Sequence, residues 1–220
     1  MSANPVSPVA SQRIAAILAQ RILAGVLGPG ARIKQDELAT ELKASRIPVR
    51  EALRILESRG LVRLRANSGA WVSDMSLHDL RLSYQIREQI EPLLLKESLP
   101  NLSLEHVEQM RQLQSDIEAS DDVERFLVLD REFHWASYAG ADAPQLCAMV
   151  ERLWDTTQHY RRAFTRMAGR ERSWIINSEH RLLIEAVAAQ DLDNASTILG
   201  MHIRRTRLEL VDHPELFANR

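Results

Sequence analysis

The sequence predicts a mainly α-helical protein with two parts: three short helices closed by a β-hairpin, followed by an antiparallel bundle made only of helices. Three observations lead to this prediction. The 220 residues include only eight glycines and eight prolines, which favours long helices over a turn-rich β protein. Apolar residues recur at helical spacing through most of the chain. Alternation typical of strands is confined to residues 61–72.

The first predicted domain covers residues 1–75. Its helices are expected at 11–24, 35–42 and 47–58, with Ser45 as N-cap of the third and Gly60 at its end. The alternating run 61–65, the turn Asn67-Ser68-Gly69 and the return strand from Ala70 form the hairpin. Three helices closed by such a hairpin predict an N-terminal winged helix-turn-helix.

The second predicted domain covers residues 76–220 and contains no strand pattern. Polar or glycine-containing breaks divide it into about six helices, near 77–98, 103–118, 121–139, 144–167, 171–189 and 191–211. This pattern predicts a C-terminal all-helical antiparallel bundle. Trp135, Trp154 and Trp174 lie on apolar helix faces and are expected in its core.

Charge is divided between the two domains. The chain has a net charge of −2, but residues 1–75 carry +5 and residues 76–220 carry −7. A basic first domain on an acidic remainder indicates a nucleic-acid face at one end. The sequence has one cysteine, no signal-peptide pattern and no apolar run of the roughly 20 residues that a membrane helix needs. We therefore expect a cytoplasmic protein with no membrane partner.

The strongest DNA-binding signal lies on the third predicted helix. Arg46, Arg50 and Arg54 are four residues apart and so share one helix face. Arginine can pair with guanine O6 and N7 in the major groove. Arg63 and Arg65 flank the hairpin tip and can reach phosphates or the minor groove. A solvated basic face is the alternative, which the coincidence with the helix-turn-helix and the wing disfavours.

Several motifs resemble the GntR family of regulators, within the FadR-type subfamily that has an FCD effector domain. They are Gly-x-Leu-x-Pro-Gly at 25–30, Leu38-Ala39, the run from Ser45 to Leu53, Gly60-Leu61-Val62 and Gly69-Ala70-Trp71-Val72. The resemblance implies a homodimer on a near-palindromic double-stranded DNA operator, with Ser45, Arg46 and Arg50 at the DNA and Gly69 at the wing tip. The family's usual Gly-Val is Lys43-Ala44 here, so Lys43 is expected in a left-handed conformation. Ile47 replaces a common threonine and removes one hydroxyl that could bind DNA.

Four residues indicate a metal site. Asp130 and His134 are at i and i+4 of one predicted helix, and His180 and His202 lie in apolar, helix-forming surroundings. Each histidine alone would be interpreted as a hydrogen-bonded core residue. In the resemblance, however, the four match the aspartate and three histidines that hold a divalent metal in FCD domains. Three imidazoles and a carboxylate suit a transition ion, zinc or nickel above all.

The effector site is expected near the metal, where a small organic acid would bind. Arg87 matches an arginine that the family commonly has, which implies a carboxylate clamp. The alternative for Arg87 is an ion pair with Glu91, four residues on. Further candidates are Tyr160, Asn177, Arg161 and Arg162, with at least one of these two arginines expected in solvent.

Three functions were weighed from these patterns. The first is a transcription factor, a repressor rather than an enzyme, whose operator binding a carboxylate effector controls. The second is a metal-dependent hydrolase or lyase that uses the Asp130, His134, His180 and His202 cluster. The basic first domain would then have no role, and a catalytic metal also needs a nearby general base. The third is an architectural DNA binder with a structural metal.

Overall fold

The computed structural model describes residues 8–65, 69–169 and 173–217. Contacts between Cα atoms divide the chain into two compact units. The first contains the residues up to Met75 together with Trp154–His159, and the second contains Ser76–Leu153 with the residues from Tyr160 onward. The sequence predicts a single division after residue 75 and gives no sign that Trp154–His159 groups with the first unit.

The first unit contains three helices and a small sheet. Its elements are α1 (Pro8–Leu23), β1 (Arg32–Ile33), α2 (Gln35–Glu41), α3 (Arg46–Ser58), β2 (Val62–Arg65) and β3 (Gly69–Val72). The three strands are antiparallel in the order β1-β3-β2, with Arg65 opposite Gly69. The predicted winged helix-turn-helix is therefore confirmed. Of the predicted turn, Asn67 and Ser68 lie outside the described residues.

One apolar core fixes α3 within this unit. Helix α1 packs along α3, and the side chains of Ile14, Leu18, Leu53 and Leu56 are buried between them. Leu53 and Leu56 are three residues apart, so they occupy one face of α3 and leave the opposite face to solvent. Burying side chains of this size stabilises a fold by about 1.5–3 kcal/mol each. The packing therefore decides which face of α3 is presented outward.

The second unit is the predicted helical bundle. Its helices are α4 (Leu77–Ser98), α5 (Leu104–Ala119), α6 (Val123–Ser137), α7 (Pro144–Ala168) apart from Trp154–His159, α8 (Ser173–Ala188) and α9 (Leu192–Val211). Helix α4 packs along α9, α5 along α6 and α8, and α8 along α9. The first two residues of the helix predicted over 171–189 lie outside the described residues. Within the described residues, no helix is long and apolar enough to span a bilayer.

Side-chain caps define where several of these helices begin. Ser76 accepts a hydrogen bond from the backbone N–H of Asp79 at the start of α4, and the Asp79 carboxylate accepts one from the Ser76 backbone in return. Asp122 at the start of α6 and Asp191 at the start of α9 each accept a backbone N–H through their side chains, without such a return bond. Such caps satisfy N–H groups that have no partner within a helix, and each stabilises it by about 1 kcal/mol.

One prediction about the core is wrong. Trp154 is fully buried and Trp135 is half-buried, but Trp174 has 66% of its surface exposed. Trp174 is the second residue of α8. At the end of a helix, an apolar residue can have the spacing that is typical of a buried face and still be exposed, because no neighbouring helix packs over it.

Candidate functional site

Helix α3 presents its arginines to solvent. The side chains of Arg46, Arg50 and Arg54 are 78%, 57% and 59% exposed. The burial of Val49 and Leu53 on the other face is what turns them outward. Three guanidinium groups one turn apart on a convex helix form a row of cations that a groove of duplex DNA can receive.

The described partners of these arginines are carboxylates at the surface, exposed Asp36 and half-buried Glu51. Arg46 Nε lies 2.7 Å from Asp36 Oδ1 of α2, and Arg54 Nη1 donates to Glu51 Oε1 over 3.1 Å. Arg50 Nε is 3.8 Å from the same Glu51 oxygen. Ion pairs at an exposed surface contribute about 0–1 kcal/mol. A phosphate or a base can therefore replace these carboxylates at low cost.

The turn before α3 has the backbone that its sequence predicts. Lys43 has φ of 50°, which confirms the left-handed conformation expected where the family has glycine. Ser45 occupies the N-cap position with φ −77° and ψ 165°, but its hydroxyl makes no capping hydrogen bond. The Ser45 side chain is exposed beside Arg46, so its hydroxyl is placed to bind an external group.

The wing adds further cations. Arg63 Nη2 lies 2.9 Å from Asp74 Oδ1. The guanidinium of Arg65 lies over the Trp71 ring, 5.0 Å from its centroid, and that of Arg32 lies 5.7 Å from the same ring. Gly69 begins β3 with φ of 115°, a conformation that other residues rarely adopt. Sequence analysis missed Arg32, because the two-residue strand that carries it has no recognisable pattern.

The second unit brings together the four residues expected to bind a metal. Asp130 and His134 lie on α6, His180 on α8 and His202 on α9, and all four are buried. One ligand atom from each lies within 4.8 Å of the others. Helical spacing explains the pair on α6, whereas the fold alone brings the other two histidines to it.

Neighbouring side chains orient the four groups. His180 Nδ1 is 2.7 Å from Gln114 Oε1, and His202 Nδ1 is 2.7 Å from Glu179 Oε2. These contacts leave the Nε2 atom of each ring for another partner. Arg161 Nη2 donates to Asp130 Oδ2 over 2.6 Å, which leaves Asp130 Oδ1 at 3.7 Å from His180 Nε2. Hydrogen bonds of this kind fix the tautomer and ring orientation of metal-binding histidines.

Protonation in the cluster also suits a cation. Burial lowers the pKa of His134 well below its usual value and lowers that of His180 to about 3, so both imidazoles are neutral. Burial acts to raise the pKa of Asp130, but the charge of the neighbouring Arg161 guanidinium outweighs it, and the carboxylate stays ionised. His180 Nε2 is buried and has no hydrogen-bond partner among the described residues. The residues present therefore fit a transition metal ion.

Arg87 forms the ion pair that was one of its two interpretations. Its Nε donates to Glu91 Oε1 over 2.5 Å, and both side chains are buried. Tyr138 donates to the other oxygen of Glu91 over 2.8 Å. The Arg87 guanidinium also lies 4.7 Å from the centroid of the Tyr84 ring. The second interpretation, a carboxylate clamp, remains a prediction.

Tyr84 is a residue that sequence analysis missed. It is completely buried on α4, three residues before Arg87, and no described group hydrogen-bonds its hydroxyl. Burial raises its pKa, so the hydroxyl keeps its proton and can donate. Leaving a buried hydroxyl without a hydrogen-bond partner lowers the stability of a fold by about 1–3 kcal/mol. A ligand atom that accepts a hydrogen bond from Tyr84 would recover that loss. In the sequence, a role for Tyr84 beside Arg87 is indicated by its position one helical turn earlier.

The remaining effector candidates lie in different places. Tyr160 is buried and stacks on Phe217, with 4.6 Å between ring centroids. Asn177 Oδ1 accepts a hydrogen bond from Gln114 Nε2 over 3.1 Å and lines a cavity. The expectation that Arg161 or Arg162 would be in solvent is wrong. Both are buried, because Arg161 binds Asp130 and Arg162 donates to both carboxylate oxygens of Glu124 over 2.9 Å.

Comparison with known families matches both units. The profile of bacterial regulatory proteins of the gntR family matches residues 10–72, and that of the FCD domain matches residues 82–205. The chain is a GntR-family regulator. The matches confirm the resemblance found in its motifs, and they assign the basic unit and the helical unit to separate domains of the family.

Characterised GntR-family members are similar along much of the chain. The HTH-type transcriptional regulator McbR of Escherichia coli (strain K12) is 29% identical over 140 residues, 62% of this chain and 63% of McbR, which is less than two thirds of its length. The HTH-type transcriptional repressor RspR of the same strain is 25% identical over 205 residues, covering 91% of this chain and 88% of RspR. These relatives regulate transcription through a helix-turn-helix.

Solved GntR-family structures share the fold. The structure of E. coli McbR/YncC matches with a TM-score of 0.82 at 23% identity, covering 93% of this chain and 98% of that chain. A GntR transcriptional regulator from Rhodococcus sp. RHA1 matches with a TM-score of 0.76 at 22% identity, covering 96% and 99%.

The family also decides between the enzyme and regulator hypotheses. GntR-family proteins are transcriptional regulators and not enzymes, so the hydrolase or lyase alternative is set aside. The geometry agrees with this conclusion. Glu132 and Glu179 are the glutamates next to the cluster in sequence that could serve as a general base, and Glu132 is exposed. The other, Glu179, is already bound to His202 and Arg205.

Proposed function

We propose that the chain is a repressor that binds a double-stranded DNA operator through α3 and the wing, and that a small organic acid controls this binding from the helical domain. The observation that carries the DNA-binding part is the row of Arg46, Arg50 and Arg54 on the exposed face of α3. The buried opposite face holds that row in place, and the exposed carboxylates beside it are weak competitors for a phosphate.

Base recognition is assigned to the N-terminal half of α3. Arg46 and Arg50 lie in its first turns beside the exposed hydroxyl of Ser45. A guanidinium that bonds guanine O6 and N7 discriminates against a wrong base by about 1–3 kcal/mol. Arg54, Arg63 and Arg65, with Gly69 at the wing, are assigned to phosphates or the minor groove, where they strengthen binding without specifying sequence.

The regulator is proposed to act as a homodimer. Helix α4 exposes Leu82, Ile86 and Leu93, which are 42%, 49% and 49% accessible. Their spacing of four and seven residues places them on one face of the helix. An apolar stripe on a long helix is typical of an interface between copies, and a two-fold dimer would bind a near-palindromic operator.

A divalent metal is proposed at Asp130, His134, His180 and His202. Neutral imidazoles and an ionised carboxylate are the ligand set that zinc and nickel accept, so either ion is a candidate. A bound ion would add positive charge at a buried site, which favours the binding of an anion nearby.

The effector is proposed to be a small carboxylate near this cluster. The unsatisfied Tyr84 hydroxyl supports the proposal, because it offers a buried donor beside the guanidinium of Arg87, which is proposed as the carboxylate clamp. Tyr160 and Asn177 are proposed as further contacts. Repression is proposed because RspR, which is similar over most of the chain, is a repressor. In a bacterium the operator lies in the cytoplasm, where we propose that the chain acts.

The proposal is tested by selecting duplexes from a random pool with purified full-length protein. We expect one near-palindromic sequence to emerge. Metal analysis and a thermal-shift screen of organic acids then identify an effector, since a ligand that binds only the folded state raises the melting temperature. That acid should release the selected duplex. If no acid changes the affinity for the duplex, the effector part fails and an architectural DNA binder is the better description.

A further inference from the structure

A partly enclosed cavity lies at one end of the helical unit, apart from the metal cluster. Its walls come from the last turns of α5 and α7 and the first turns of α6 and α8, and its volume is about 180 Å³. Ile117, Phe126, Phe164 and Ile176 provide most of the apolar lining. A cavity of about 150 Å³ lined by such side chains takes up a benzene-sized molecule. The space therefore suits a compound with one ring.

The described part of the cavity wall carries carboxylates and no cation. The described lining contains no lysine, arginine or histidine, and it contains the carboxylates of Asp121 and Asp122 at the exposed rim. Asp122 is engaged as the N-cap of α6, where its Oδ1 accepts from the Glu124 backbone over 2.9 Å. An organic acid that suits Arg87 and a metal would meet repulsion here, whereas an uncharged molecule would not.

Polar atoms on the walls can orient a hydroxyl. Thr165 donates its hydroxyl proton to the Arg161 carbonyl oxygen over 2.8 Å, so its oxygen still has capacity to accept a hydrogen bond. Asn177 lies on the same lining and offers an amide. Apolar walls with a few fixed polar groups are the usual composition of a small-molecule site.

A chain of hydrogen bonds joins this cavity to the metal cluster. Asn177 Oδ1 accepts from Gln114 Nε2 over 3.1 Å, and Gln114 Oε1 is 2.7 Å from His180 Nδ1. The lining of the cavity includes none of the four cluster residues, so the two sites are separate. A hydroxyl that donates to Asn177 Oδ1 competes with Gln114 Nε2 for that oxygen, and a resulting shift of the Gln114 amide changes the contact between Gln114 Oε1 and His180 Nδ1.

We propose that this cavity binds an uncharged molecule with one ring and a hydroxyl group, and that its occupation is transmitted to His180 through Asn177 and Gln114. This site takes a ligand of different chemistry from the organic acid of the proposed anion site, and its described lining shares only Asn177 with the residues proposed to contact that acid. Both experiments below omit DNA and added metal, so their failure and a failure of operator binding are independent results.

The site is tested with phenol as the probe and full-length protein labelled at the isoleucine methyl groups. We expect phenol to shift the NMR signals of Ile117 and Ile176 and to leave Ile14 of the first unit unchanged. The variant Ala168→Phe fills the cavity and should bind phenol at least about tenfold more weakly than the unchanged chain. The control Ala188→Phe adds the same ring at the exposed end of α8 and should bind phenol with unchanged affinity. Absence of shifts at Ile117 and Ile176 in the unchanged chain overturns the site whether or not the variants fold.

Transmission is tested at the His180 ring. In histidine-labelled protein, saturating phenol should shift the His180 ring signals and leave those of His78, which is exposed on α4, in place. In Gln114→Ala the methyl shifts of Ile176 should persist while the His180 response disappears. An unchanged His180 signal in the original chain, or an equal response in Gln114→Ala, overturns the proposed transmission.

Discussion

Arginines in the two units of this protein occupy opposite environments. On α3, Arg46, Arg50 and Arg54 are exposed and paired loosely with surface carboxylates. In the helical unit, Arg87 and Arg161 are buried and bonded at short range to Glu91 and Asp130. The first group contributes little to the fold and is available to a partner. The second group neutralises buried carboxylates, so removing one of these arginines would lower the stability of the fold.

The largest effect is expected where the arginines are exposed. In the double variant Arg46→Ala with Arg50→Ala, affinity for the selected duplex should fall at least about 30-fold, because two base contacts of about 1–3 kcal/mol each are lost. The melting temperature should change by no more than about 2 °C, since exposed substitutions rarely exceed 0.5 kcal/mol. Fluorescence anisotropy and calorimetry measure the two quantities.

A matched variant, Arg111→Ala with Arg125→Ala, removes the same charge from exposed positions of the helical unit. It should bind the selected duplex within about twofold of the unchanged chain. Equal losses in the two double variants would mean that net charge, and not the face of α3, determines DNA binding.

The next effect is on stability and belongs to the buried pair. Arg87→Ala leaves the Glu91 carboxylate buried without its arginine, so the free energy of unfolding should fall by about 3–5 kcal/mol. Urea titration measures this change. The variant Arg87→Met with Glu91→Leu removes both charges and should recover most of the loss. A loss below 1 kcal/mol for Arg87→Ala would contradict the contrast between the two groups of arginines.

A smaller effect is expected at the residues that orient the metal ligands. Gln114→Ala removes the hydrogen bond to His180 Nδ1, so affinity for zinc or nickel should fall about 10- to 100-fold. Isothermal titration with each ion measures this affinity. Gln112→Ala is the control, because Gln112 is exposed on the same helix. Unchanged affinity in Gln114→Ala would show that the bond does not help to hold a metal.

The smallest effect is expected at the acidic partner of Arg46. Asp36→Asn breaks an exposed ion pair, so the free energy of unfolding should change by less than about 1 kcal/mol. Affinity for random duplex should rise a few-fold at low salt, because a negative charge beside the DNA-binding face is lost. Glu105→Gln, exposed on α5, is the control in the same binding assay. A larger rise in the affinity of Glu105→Gln for random duplex would indicate that DNA binds a different surface of the chain.

Helix boundaries and strand order were predictable to different degrees. Periodicity and capping residues predicted the helices of the bundle to within a few residues, because each helix buries a stripe at regular spacing. The strand Arg32–Ile33 was missed, since two residues have no period and form a strand only by pairing with β3. The sequence therefore does not predict that Arg32 lies at the wing.

The candidate sites were predictable only in part. Helical spacing joins Asp130 to His134, but the approach of His180 and His202 depends on how α6, α8 and α9 pack, which no local pattern records. For the same reason, the roles of Tyr84 and Gln114 are not predicted from the sequence. It also predicts wrongly that the side chain of Arg161 or Arg162 is exposed to solvent. Their environments are set by side chains from other helices, and distant contacts of this kind leave no signal in spacing or composition.

The most direct test of this account compares two affinities of the purified chain at about 150 mM salt, one for the selected duplex and one for random duplex. Specific recognition by α3 predicts a preference of at least about 10³ for the selected duplex. Equal affinity for both, with and without metal and candidate organic acids, would contradict the assignment of the α3 arginines to a groove of DNA.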